Sequence, residues 1–239
     1  ATTYFETKTS SFSSRFFNEI KYNKKTNSII KKSQDSSKLK KEINFYKNIP
    51  SRLKVYFPIL LNQDQKEKEV LELEYLPFPN LAEIFLFRKI GANRWETIVK
   101  SLFDIYSEFY LNKKSKNYLY NASHLYSEKL KNRINILNEI VDNLNNELLK
   151  KIINNGIKVN NNVLPSLNTT INKIQKELKE IEKQRPLLFG HGDLCFNNIL
   201  VEPISGSIKL IDPKADFIVN KKFAYVDPFY DLAKLNHSF

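Results

Sequence analysis

Apolar and polar positions divide the chain into two kinds of pattern. In the first third they alternate in short runs. Phe16 to Tyr22 and Ser28 to Lys32 read as strands joined by the turn Lys24-Lys25-Thr26-Asn27, and Val70 to Leu76 reads as another strand, broken by Pro77-Phe78-Pro79. Between them a helix starts near Ser36, with Ser36 or Ser37 as its cap, carries Leu39, Ile43 and Tyr46 at helical spacing, and ends by Pro50. From residue 80 the period becomes helical. Asn80 caps a segment from Leu81 to Phe87, and Asn93 to Leu111 repeats Trp95, Ile98, Leu102, Ile105 and Phe109. Residues 126–150 carry Leu130, Ile134, Leu137, Val141, Leu144 and Leu148 at alternating spacings of about three and four, the pattern of one buried stripe. Asn154-Asn155-Gly156 closes that helix, Asn160-Asn161-Asn162 is a loop, and Thr169 or Thr170 opens a further helix with Ile171, Ile174, Leu178 and Ile181.

Near the C-terminus the alternation returns in a form that gathers chemistry. Ile199-Leu200-Val201 and Ile208 to Ile211 read as two strands around a turn containing Pro203 and Gly206. With Val201 opposite Ile208, Ile199 faces Leu210. Asn198 and Asp212 then meet at the open end, where cross-strand neighbours lie roughly 5 Å apart. Asp193 precedes Asn198 by five residues on the loop that feeds the same end. Two carboxylates and one amide at one mouth suit magnesium-dependent phosphoryl transfer. Asn198 and Asp212 offer the hard oxygens that magnesium takes, and Asp193, kept off the metal, can orient a hydroxyl and accept its proton.

The whole constellation is His191-Gly192-Asp193-x4-Asn198-Ile199-Leu200, then Ile211-Asp212, then Asp227-Pro228-x-x-Asp231-Leu232-Ala233. It resembles the aminoglycoside phosphotransferase and choline kinase superfamily, and within it the phosphotransferase-like proteins of bacterial capsule and surface-sugar biosynthesis. The resemblance implies an α+β, two-lobed protein-kinase-like fold: a small β-rich N-lobe over residues 1–76 that binds nucleotide, and a larger, mostly helical C-lobe over 77–239 that carries catalysis and the acceptor. Family members usually continue with further helices past the point that corresponds to Phe239.

By the same resemblance Asp193 is the catalytic base, Asn198 and Asp212 hold Mg2+, and ATP or GTP is the phosphate donor. A strand lysine, Lys31 or Lys32, meets the nucleotide phosphates, and Glu42 on the next helix is its ion-pair partner. Adjacent strand residues face opposite ways, and Ile29 and Ile30 put an apolar residue on each face, so alternation does not choose between the lysines. The family's commoner Val-x-Lys form favours Lys32. Ser11 and Ser13 lie in the segment matching the phosphate-covering loop, which here has no glycine, so a plain surface loop is the alternative. Glu74 to Leu76 corresponds to the hinge whose backbone meets the base. His191 is implied to support the catalytic loop, Asp227 to brace that loop, and Asp231 to bond backbone near a helix start.

Charge and composition narrow the reading. The net charge is +12, but the lysines come as scattered pairs, an arrangement of solvated surface that argues against nucleic acid. A positive field favours anionic ligands such as nucleotides and sugar phosphates over polycations. No apolar run reaches the ~20 residues of a membrane span. The start lacks the basic and apolar parts of a signal peptide, and the one cysteine, Cys195, cannot form an internal disulfide, so a cytoplasmic setting is expected. Cys195 is read as a packing residue. The expected activity is transfer of a γ-phosphate to a hydroxyl of a small acceptor, a sugar or polyol. The alternatives are choline or another amino alcohol as acceptor, and a silent nucleotide-binding pseudokinase.

Overall fold

The computed structural model describes residues 18–61, 70–112, 124–182, 188–214, 218–220 and 223–238. By its internal contacts the chain forms two compact units, Ala1–Lys114 with Leu187–Phe239, and Ser115–Pro186. The lobe boundary expected after residue 76 falls inside the first unit.

The first unit begins with an antiparallel sheet of β1 (Asn18–Asn23), β2 (Ser28–Ser33) and β3 (Val70–Glu74), in that order. The turn between β1 and β2 places Asn27 at φ 48°, a left-handed conformation that Asn tolerates. Helix α1 (Ser36–Lys47) follows β2. Its cap is Asp35 rather than Ser36 or Ser37: the Asp35 carboxylate accepts from Lys38 N at 3.1 Å. Helix α2 (Leu81–Phe87) is capped by Asn80, which accepts from Glu83 N at 2.8 Å, and α3 (Ala92–Leu111) buries Ile98, Leu102, Ile105 and Phe109 along one face, as their spacing requires.

Among its described residues the second unit is helical with a small hairpin. The stripe expected as a single helix over 126–150 is two helices, α4 (Lys129–Asn143) and α5 (Glu147–Asn155). Asn145 adopts φ 49° and Asn146 accepts from Leu149 N at 3.0 Å, so two consecutive asparagines end one helix and cap the next. Nor is the stripe buried: Val141 is, but Leu144 and Leu148 are each 65% exposed. Gly156, at φ 84°, closes α5 as expected. The Asn160 loop proves to be a tight turn between β4 (Ile157–Val159) and β5 (Asn162–Leu164), with Asn160 and Asn161 both at positive φ. Helix α6 (Leu167–Glu182) starts ahead of Thr169, because the Ser166 hydroxyl accepts from Thr169 N at 3.1 Å.

The chain then returns to the first unit. β6 (Leu188–Phe189) leads into the His191 loop, β7 (Ile199–Val201) pairs with β8 (Ile208–Leu210), and β9 (Ile218–Asn220) and β10 (Phe223–Val226) complete a sheet in the order β6-β10-β9. Helix α7 (Pro228–Asn236) ends the described secondary structure. The β7–β8 register is Ile199 with Leu210 and Val201 with Ile208, as the alternation predicts. The core of this unit joins Leu39 and Phe45 of α1, Phe57, Leu71 of β3, Phe109 of α3, Phe189 of β6, and Ile199 and Leu210 of the hairpin. Both strands that carry the candidate chemistry are therefore rooted in the buried core of this unit.

Candidate active site

The loop from Gly190 to Asn198 is laced to the Asp212 segment by backbone. Ile211 N donates to Asn198 O at 3.0 Å, and Lys214 N donates to His191 O at 2.9 Å. His191 is fully buried and stacks on Phe57 at 6.3 Å between ring centroids. Its Nε2 lies 2.9 Å from Ile211 O, and its Nδ1 lies 3.3 Å from Asp193 N. A carbonyl can only accept and an amide can only donate, so Nε2 carries the proton and Nδ1 accepts. Burial holds the imidazole pKa below its ordinary value, which keeps this neutral tautomer. His191 thus ties the Asp193 loop to the Asp212 loop.

Gly192 adopts φ 78°, a conformation that needs glycine, and this turn presents Asp193. Two side-chain oxygens fix it. Asp231 accepts from His191 N at 2.7 Å and from Gly192 N at 2.8 Å. Asp231, expected to bond backbone near a helix start, bonds the backbone of the loop itself. Asp231 braces the loop, whereas Asp227 caps α7 by accepting from Phe229 N at 2.8 Å. The reason is position along the helix. Asp227 precedes its first turn, while Asp231 lies one turn in, on the face turned to the loop.

Asn198 sits in the short turn Phe196–Asn198, and its side-chain amide donates to Asp193 O at 2.9 Å. With its nitrogen committed, its oxygen is the atom it can offer a ligand. Asp212 follows β8 at φ 54°, a left-handed conformation that re-aims the chain at the strand end.

The N-terminal sheet supplies the cation. Lys31 Nζ lies 2.7 Å from Glu42 Oε2 and 2.7 Å from Asp212 Oδ1, so one ammonium joins β2, α1 and the segment after β8. Burial alone would lower the Lys31 pKa, but the two carboxylates outweigh it and hold the ammonium above its ordinary value. Burial pushes Glu42 the other way, to about 7, against the pull of Lys31. The preference for Lys32 is overturned: Lys32 is exposed, opposite Val70 and Glu19 in the sheet register. The pleat makes the lysines exclusive, and the face turned to α1 is that of Lys31.

Of the remaining expected site residues, Glu74 and Leu76 lie at the end of β3. Glu74 Oε2 accepts from Ile59 N at 3.2 Å and Glu74 N donates to Ile59 O at 2.9 Å, while Leu76 follows the strand and is half-buried. Ser11 and Ser13 lie outside the described residues. The Cys195 thiol is pushed up by burial, which disfavours the thiolate a nucleophile needs and fits a packing role. Lys234 was missed by sequence reasoning: its Nζ lies 2.6 Å from Asp193 Oδ1. The available signal was its place three residues after Asp231, on the same face of α7.

Solved structures of similar architecture exist. An aminoglycoside phosphotransferase from Streptomyces rimosus aligns with 92% of this chain and 74% of its own, at TM-score 0.54 and 12% identity. The GDP complex of aminoglycoside 2'-phosphotransferase-IIIa aligns with 99% of this chain and 77% of its own, at TM-score 0.54 and 16% identity. The fold is kinase-like and α+β. No protein-family model matches the sequence, and no curated protein matches it significantly. At these identities the kinase-like frame is what the likeness establishes, and the site chemistry rests on the residues themselves.

Among the described residues no three His, Cys, Asp or Glu side chains converge as a metal cage. The Asp212 carboxylate and the Asn198 amide carry oxygens of the hard kind that magnesium takes. Among the described residues no helix is long and apolar enough to cross a membrane.

Proposed function

We propose that this kinase-like chain is a small-molecule kinase that moves the γ-phosphate of ATP or GTP to a hydroxyl of a sugar or polyol. One observation carries the reading. Lys31 and Asp212, 181 residues apart in sequence, meet at 2.7 Å with Glu42 behind them. Lys31 is held largely buried by Glu42 while Asp212 is 54% exposed, so the open side of the group faces where a ligand can reach it. It suits a site where a fixed cation meets phosphate oxygens.

In this reading Lys31 neutralises donor phosphate charge and Glu42 keeps its ammonium in place. Asp212 and Asn198 would hold magnesium, which when bound supplies charge neutralisation to the phosphates. Asp193 orients the acceptor hydroxyl and takes its proton. Since Oδ1 is engaged by Lys234, Oδ2 is the oxygen for that task. His191 and Asp231 keep the loop fixed, so catalysis draws on positioning and electrostatics. Within Glu74 to Leu76, Leu76 N and the carbonyls would serve the base, because Glu74 N and Tyr75 N donate to Ile59 O and Asn27 O. The GDP bound to one structural neighbour supports a nucleotide donor. The setting proposed, from the sequence resemblance, is cytoplasmic synthesis of bacterial surface sugars.

The test is magnesium-dependent consumption of ATP and GTP against a panel of sugars, polyols and amino alcohols. Acceptor-stimulated turnover by a sugar or polyol is the expected result. Turnover confined to amino alcohols would move the acceptor class, and no nucleotide binding would overturn the reading.

A further inference from the structure

Three residues of α7 and its C-terminal turn follow the catalytic loop step by step. Asp231 binds His191 N and Gly192 N, Lys234 binds the Asp193 carboxylate, and the Ser238 hydroxyl accepts from Phe196 N at 3.1 Å. Ser238 also donates to Lys234 O at 3.1 Å, so it locks the turn that carries the lysine. Positions 231, 234 and 238 share one helical face. Lys234 is thus a built part of the Asp193 site and not a passing surface contact.

The pair is lopsided. The Asp193 side chain is 16% exposed and that of Lys234 is 38% exposed, so the lysine is the more open partner. Lysine has three N–H donors, and Asp193 Oδ1 takes one. A second lysine, Lys214, is carried by the segment tied to the same loop, its N donating to His191 O at 2.9 Å. An approaching amine would meet the Lys234 ammonium there, and the Asp193 carboxylate is already paired. An anionic group would meet the two Lys234 donors that Asp193 Oδ1 does not take.

We propose that Lys234 is a specificity-determining residue that selects an acceptor bearing an anionic group near its reacting hydroxyl, a sugar phosphate or sugar acid, and rejects polyamines. This rests on the kinase reading above and narrows its acceptor class.

The experiment measures binding to the full chain saturated with magnesium and a non-hydrolysable ATP analogue, so that nucleotide phosphate sites are filled. The probes are glucose, glucosamine, glucose 1-phosphate, glucuronate and the polyamine kanamycin. An anionic probe should bind at least ~10-fold tighter than glucose, the scale of one charge-assisted hydrogen bond. Glucose 1-phosphate against glucuronate separates phosphate from carboxylate. Lys234→Ala should cut that lead to within ~3-fold, and Lys234→Arg should keep most of it, with thermal melting showing both variants folded. Equal or tighter binding of glucose, glucosamine or kanamycin overturns the inference. So does a lead that survives Lys234→Ala, or failure of both anionic probes to bind. Those results leave the kinase reading standing, whereas failure of the ATP analogue itself to bind removes both.

Discussion

The two carboxylates of the candidate site are each met by a lysine, but the two sides are built in opposite senses. On the side of the N-terminal sheet the lysine is fixed. Lys31 is 13% exposed, backed by Glu42, and reaches an Asp212 that is largely open to solvent. On the α7 side the carboxylate is fixed. Asp193 is the more buried partner, on a loop pinned by His191 and Asp231, and Lys234 is the more open member. A fixed cation beside an open carboxylate suits donor phosphates and a metal. A fixed carboxylate beside an open cation suits a base and the acceptor it must recognise.

Substitutions can break each side separately. The largest effect is expected from Asp193→Asn, which should lower phosphoryl transfer by at least ~100-fold while leaving nucleotide affinity nearly unchanged, the scale of losing a general base. Steady-state transfer and equilibrium nucleotide binding check the two parts, and retained transfer would remove Asp193 from the chemistry. Lys31→Ala removes the fixed cation. Nucleotide should bind about 10- to 100-fold more weakly, as expected for lost charge-assisted hydrogen bonds. An unchanged affinity would detach the N-terminal sheet from the site.

Glu42→Gln sharpens the comparison through pH. The Glu42 carboxyl is raised from 4.5 to about 7 in the folded chain, so the folded state holds its proton more tightly than the unfolded state does. The stability this contributes is full below about pH 4.5 and is lost as pH rises through about 7. The stability of the parent chain minus that of Glu42→Gln should therefore fall across this window, by no more than about 1.4 kcal/mol per pH unit for one proton, and then level off. Urea unfolding of both proteins across that range measures it, and a difference that rises with pH would show that the ion pair outweighs burial. The smallest effect belongs to Lys32→Ala. An exposed side chain on the outer face of β2 should change stability by less than ~0.5 kcal/mol and leave nucleotide affinity alone. A loss matching that of Lys31→Ala would mean that both lysines serve the phosphates.

Much of this was legible in the sequence because it is local. The β7–β8 register follows from a period of two, which allows one pairing with Ile199, Val201, Ile208 and Leu210 all inside. The Asn80 cap and the buried face of α3 follow from helical spacing. What failed depended on choices that neighbours make. Asp35 and Ser166 outcompeted nearby serines and threonines as caps, a matter of which oxygen reaches an N–H group. The leucine stripe over 126–150 kept its period across Asn145-Asn146, yet the backbone turned there. Lys31 and Lys32 were indistinguishable because an isoleucine lies on each face, and only the docking of α1 separates them. Lys234 needed a contact across 41 residues, which no local period encodes.

The most direct test of the site is magnesium-dependent nucleotide binding by the parent chain and Asp212→Ala, each titrated with a non-hydrolysable ATP analogue with and without magnesium. In a kinase site of this kind the substitution should abolish most of the gain in affinity that magnesium brings. Binding without metal should stay the same or tighten, because Lys31 is released to the phosphates. An equal loss in both conditions, or no dependence on magnesium in the parent chain, would place Asp212 in a structural role and contradict the kinase reading.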